Sequence, residues 1–199
     1  MIKIIDYKAG NAPSVLHALT HLGHKAEFAN KPEDLKNAHC IILPGVGSAK
    51  ATMDSLKELN LIKPLKEIVH SKKKIPFLGI CIGMQILFEY SEEDEAQCLG
   101  WLPGKVVKFD AKKTRVPQMG WNKVKFIKDT NIRDTNEDYF YFVNSYYAQA
   151  EGNDVWGEAN YSGKFTAAVN RGNIYGMQFH VEKSGEAGLK LLDEFVRWG

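Results

Sequence analysis

A cysteine held between two glycines, Gly79-Ile80-Cys81-Ile82-Gly83, carries the strongest chemical signal in the chain. An apolar, strand-like run leads into it from Ile75, and a helical reading follows from Gly83 to Tyr90. A strand that turns sharply into a helix through Gly-x-Cys-x-Gly is a nucleophile elbow with cysteine in place of serine. Such a turn lifts the sulfur clear of the sheet. The positive end of the following helix then favours a thiolate and a developing oxyanion. The Ile82 N–H is the natural first oxyanion donor. Taken alone, the same segment could equally be a buried structural cysteine that ends a core strand.

A base and its orienting group stand at the other end of the chain, in Gly176-Met177-Gln178-Phe179-His180-Val181-Glu182. If Tyr175 to Glu182 is extended, side chains alternate and His180 and Glu182 share one face. The carboxylate can then hold the imidazole and stabilise its protonated form, giving a Cys-His-Glu arrangement. The plainer reading is a surface His–Glu pair at a strand end. A third segment, Leu43-Pro44-Gly45-Val46-Gly47-Ser48, joins a buried strand to a helix. Its glycines free the backbone to present a second N–H to the oxyanion; a simple turn is the alternative.

These segments need a scaffold, and the sequence supplies alternating elements. Ile2 to Ile5, Lys25 to Ala29, Cys40 to Leu43 and Ile75 to Ile80 read as strands. Ala12 to Leu22, Ala49 to Leu59 and Ile62 to Ser71 read as helices between them. That alternation implies an α/β fold with a mostly parallel sheet flanked by helices. The second half reads as strands at Val106 to Phe109, Val124 to Ile127, Tyr139 to Val143, Tyr146 to Gln149, Ala167 to Asn170 and Tyr175 to Phe179. They imply an additional, largely antiparallel sheet, and a helix from Glu186 to Trp198 closes the chain. The acidic run Ser91 to Glu95 reads as a solvated loop.

At 199 residues without a linker-like stretch, one domain over 1–199 is expected. The net charge of +2 is small and dispersed, which argues against nucleic acid as a partner. No apolar run is long enough to span a bilayer. Three cysteines, Cys40, Cys81 and Cys98, form no paired pattern, so a reducing cytoplasm is the expected compartment. His17, His21 and His24 lack suitably spaced carboxylates or cysteines, and a solvated helix face is expected there rather than a metal site.

In combination and in this order, Pro-Gly-Val-Gly, Gly-x-Cys-x-Gly and His-x-Glu resemble the class I, triad-type glutamine amidotransferases. Within them the chain looks most like the glutaminase subunits of imidazole glycerol phosphate synthase, along nearly its whole length. The shared segments include Ile5-Asp6-Tyr7 with Gly10-Asn11, Leu78 to Phe88, Met119-Gly120-Trp121-Asn122 and Phe179 to Gly188. The resemblance implies that Cys81 attacks the side-chain amide of L-glutamine, with His180 as base and acid and Glu182 as its orienter. It implies an oxyanion hole from Val46 or Gly47 with Ile82, and glutamine contacts from Gly47, Gln85, Ser145 and Tyr146. It places Asn11, Trp121 and Lys183 on the face that meets a cyclase subunit, a separate (β/α)8 barrel, in a heterodimer. No metal and no organic cofactor is implied. Four positions depart from the family pattern: Val181 for proline, Asn144 and Gln118 for histidines, and Lys8 for glycine. Three rival readings stay open. One is a paralogue that supplies ammonia to a different barrel for sugar amination in surface polysaccharides. The others are the glutaminase of pyridoxal phosphate synthesis and a non-catalytic binding module.

Overall fold

The computed structural model describes residues 1–8, 11–134 and 136–199. Gly10, part of the resemblance above, lies outside the described residues. Strands and helices alternate at first: β1 Ile2–Ile5, α1 Ala12–His21, β2 Ala26–Ala29, β3 Cys40–Leu43, α2 Ala49–Glu58, α3 Ile62–Val69, β4 Phe77–Ile80 and α4 Ile82–Gln85. A run of strands follows: β5 Tyr90–Ser91, β6 Ala96–Gln97, β7 Gly104–Lys108, β8 Gln118–Phe126, β9 Glu137–Asn144, β10 Tyr146–Ala150, β11 Val155–Asn160, β12 Lys164–Arg171 and β13 Ile174–Met177. Helix α5, Gly185–Trp198, closes the chain.

β1, β3, β4 and β13 are buried along their whole length. That burial on both faces is what an apolar strand inside a helix-covered parallel sheet requires. The order β2-β1-β3-β4-β13 is parallel throughout. β13 then pairs antiparallel with β12, and the sheet continues through β10, β7, β5 and β6. β11, β8 and β9 branch from β12. The antiparallel strands are therefore hydrogen-bonded to the parallel ones through β13. Its Gly176 sits opposite Gly79 of β4 and its Met177 opposite Ala168 of β12. Tyr175 on β13 packs edge-on against Trp156, Phe195 and Trp198 and ties this strand to β11 and α5.

Four expectations change. The helix read over Gly83 to Tyr90 ends at Gln85, because Ile86, Leu87 and Phe88 are all fully buried. A surface helix cannot hide three consecutive side chains. The carbonyls of Ile86, Leu87 and Phe88 instead accept from the returning Leu99, Trp101 and Gly100 N–H groups. β8 begins at Gln118, ahead of Val124, because its early residues expose one face. β11 was not expected at all. His24, read as solvated, bonds Asp193 of α5 at 2.6 Å. No helix among the described residues is long and apolar enough to cross a membrane.

Candidate active site

Cys81 follows β4 at φ 55, ψ −110, a backbone conformation that a side chain adopts only at a cost. Packing holds it there. A Cβ at Gly79 would overlap the Gly83 carbonyl, and one at Gly83 would overlap the Leu43 carbonyl. The Cys81 N–H donates to Met177 O at 2.7 Å, which locks the elbow to β13. The Cys81 carbonyl accepts from Met84 and Gln85 N–H at 3.0 and 3.1 Å. The N–H groups of Ile82 and Gly83 are left without a protein partner among the described residues. α4 is only four residues long, so its macrodipole is small. A helix dipole is therefore not what would favour a thiolate here.

β13 ends at Met177, and Val181–Lys183 forms a 3-10 turn. The extended path expected to Glu182 is therefore absent. Ser184 makes the turn by donating its hydroxyl to His180 O at 2.6 Å, and Lys183 N–H also donates to that carbonyl at 3.0 Å. The turn brings Glu182 back to the ring, with Oε1 2.9 Å from His180 Nδ1. Both side chains are almost fully buried, at 3 % and 1 % exposure. Burial disfavours imidazolium, yet the hydrogen bond to Glu182 and the proximity of Cys81 and Glu182 outweigh it. The His180 pKa rises from 6.5 to about 10. Nδ1 is taken by Glu182, which leaves Nε2 for the sulfur. Val181, in place of the family's proline, is fully buried within the turn.

Asn11 occupies the N-cap of α1 but caps nothing. Its Nδ2 donates to Glu182 Oε1 at 2.7 Å, and its Oδ1 accepts from Ser14 Oγ at 2.6 Å. Expected on a partner face, it buttresses the carboxylate. Trp121 is 57 % exposed and Lys183 is exposed, both beside this segment. A Cβ on Gly185 would stand 3.7 Å from the Trp121 ring. Lys8, where the family has glycine, sits at φ 67.

A cavity of about 310 Å³ opens over Cys81 and His180. Val46, Gly47, Ile82, Gln85, Asn144, Ser145 and Tyr146 line it. The Ser145 carbonyl is taken by Phe109 N–H at 3.0 Å. The Tyr146 carbonyl accepts from Gln85 Nε2 and Asn144 Nδ2 at 3.1 and 2.9 Å. Gln85 Oε1 and Asn144 Oδ1 are buried without a partner. Glu93, overlooked inside the acidic run, also lines the cavity. Its Oε2 accepts from Ala49 N–H at 3.0 Å, and burial pushes its pKa up. Asp94 and Glu95, both at positive φ, form the turn that follows it. Glu93 thus shares one small cavity with a cysteine and an imidazole, a set suited to an amino-acid ammonium group beside a reactive carbonyl.

The class follows from this site and sheet. The class-I glutamine amidotransferase family model matches residues 3–198, and the chain belongs to that family. Structural comparison agrees at the level of the fold. A solved structure of PurLQS from Thermotoga maritima matches with a TM-score of 0.79 and 18 % identity, covering 99 % of this chain and 97 % of that one. Sequence comparison is more particular. The imidazole glycerol phosphate synthase subunit HisH of Desulfitobacterium hafniense (strain DSM 10664 / DCB-2) is 46 % identical, covering 100 % of this chain and 94 % of the relative. The subunit named HisH 1 of Campylobacter jejuni (strain RM1221) is 43 % identical over 99 % of this chain and 100 % of the relative.

Proposed function

We propose that the chain is the glutaminase subunit of an imidazole glycerol phosphate synthase of histidine biosynthesis, with Cys81, His180 and Glu182 as its catalytic triad. The observation that carries the chemistry is the His180 ring, held by Glu182 at 2.9 Å and lining, with Cys81, one amino-acid-sized cavity. Glutamine enters with its ammonium group toward Glu93, and Ser145 and Tyr146 flank its α-carbon. The Cys81 thiolate adds to the side-chain carbonyl. The oxyanion accepts hydrogen bonds from Ile82 N–H and from Val46 or Gly47 N–H. His180 gives its proton to the departing nitrogen, the C–N bond breaks and ammonia leaves. Water then adds to the glutamyl thioester as His180 takes its proton. The C–S bond breaks, and glutamate and the thiolate are released.

The acceptor of the ammonia is a cyclase subunit, a (β/α)8 barrel that forms a heterodimer with this chain. The exposed Met119, Trp121 and Tyr139 on β8 and β9, close to Lys183, suit such a docking face. The deciding assay is glutamine hydrolysis with and without the cyclase subunit of the same organism and its ribotide substrate. Strong stimulation that vanishes in Cys81→Ala is expected. No stimulation by a cyclase active on free ammonia would overturn the assignment. One observation favours a second reading. The buried Gln118 and Asn144, directly opposite each other where the family has histidines, fit a divergence toward a different acceptor. Stimulation by a different barrel, one that aminates a sugar, would select it.

A further inference from the structure

The mechanism above leaves one fully buried polar side chain beside the sulfur without a task. Gln178 is 0 % exposed. Its Nε2 lies 3.7 Å from Cys81 Sγ, and its Oε1 accepts from Gln85 Nε2 at 2.9 Å. Burying an amide is costly unless each end finds a partner, so the direction in which this one points has a physical cause. The Tyr146 carbonyl can only accept. It therefore draws the NH2 end of Gln85, at 3.1 Å, as it draws that of Asn144. An amide NH2 carries two protons, and the second goes to Gln178. Gln178 must answer with its oxygen, which turns its own NH2 toward the sulfur. Reversing it would set two NH2 groups face to face and an oxygen against the sulfur. The backbone fixes the position as well. Gln178 N–H donates to Ala167 O at 2.9 Å, and the preceding carbonyl, Met177 O, receives Cys81 N–H.

We propose that Gln178 is a catalytic hydrogen-bond donor to the Cys81 sulfur, set in orientation by the Tyr146 carbonyl through Gln85. The inference rests on Cys81 being the nucleophile. The donor acts whenever the sulfur carries negative charge, which is before attack and again as the C–S bond of the thioester breaks. In the thioester the sulfur is neutral and the donor has little to hold. Gln178 therefore adds to the population of thiolate and assists its departure. It does so independently of His180, whose proton travels to nitrogen. Because Gln85 also borders the substrate, the same amide chain joins the cavity wall to the reacting atom.

The test is the pH dependence of Cys81 alkylation by iodoacetamide on the full chain. It is read by mass at the Cys81 peptide, with the Cys98 peptide as internal reference. Wild-type Cys81 is expected to react at neutral pH far faster than Cys98. In Gln178→Met, similar in size but without a donor, the profile moves about one pH unit upward, a roughly tenfold slower reaction at pH 6. Should that variant fail to fold, Gln85→Met retains Gln178 but removes the donor that orients it, and a smaller upward move is expected. An unchanged profile in a folded variant overturns the inference and leaves Cys81 as nucleophile. A wild-type Cys81 no more reactive than Cys98 overturns the nucleophile itself.

Discussion

The two sides of the cavity are built by opposite rules. At Cys81 every neighbour is in place: a Cβ at Gly79 or Gly83 would strike backbone, and the elbow N–H is tied to β13. At Gly47 a Cβ would meet nothing within 4 Å, and Val46 beside it is 41 % exposed. A nucleophile at a costly φ persists only where the surroundings over-determine it. Donors that must form on demand need room. The gripped side explains how the sulfur is aimed, and under the proposed function the open side is where a bound partner can alter the rate without disturbing Cys81.

Breaking the gripped side has the largest expected effect. Gly83→Ala forces a methyl against the Leu43 carbonyl, a rigid obstacle, and costs about 3 kcal/mol or more. Urea unfolding measures it; a loss below about 1 kcal/mol would mean that the elbow can yield. Next comes Glu182→Gln. His180 is raised from 6.5 to about 10, so the stability it contributes is fully present below pH 6.5 and is lost as pH rises through about 10. Removing the Glu182 charge lowers that upper limit. The alkaline fall of both unfolding midpoint and partner-stimulated glutaminase should begin at lower pH, and an unmoved limb would detach Glu182 from the ring. The smallest effect on stability belongs to the open side. Gly47→Ala is strained at φ 117 and costs roughly 1–2 kcal/mol, while Cys81 alkylation stays as in the wild type. A change in alkylation would show that the two sides are not independent.

The same contrast governs what could be read from the sequence. The elbow was legible because its signal is local: strand, glycine, cysteine, glycine. His180 and Glu182 were paired correctly by spacing but for the wrong reason. Alternation presumes an extended chain, whereas the contact is made by a turn that Ser184 stabilises from outside the motif. β11 escaped because bulges at Val155 to Glu158 break its alternation. Glu93 was hidden by its neighbours, since an acidic run looks solvated until tertiary packing half-buries one member. Asn11 has a side chain suited to capping its helix, and only the fold shows that it serves Glu182 instead. Gln178 carried no signal beyond being polar between apolar neighbours, and that cue is visible only once β13 is known to be buried.

The insertion of β13 between β4 and β12 also orders events in time. A ribosome delivers the chain from its N-terminus, so Cys81 and its elbow emerge long before His180 and Glu182. Until β13 arrives, β4 has an open edge and the sulfur has no imidazole beside it. Under the proposed function an unfinished chain cannot consume glutamine, because the strand that completes the sheet is also the one that leads into His180 and Glu182.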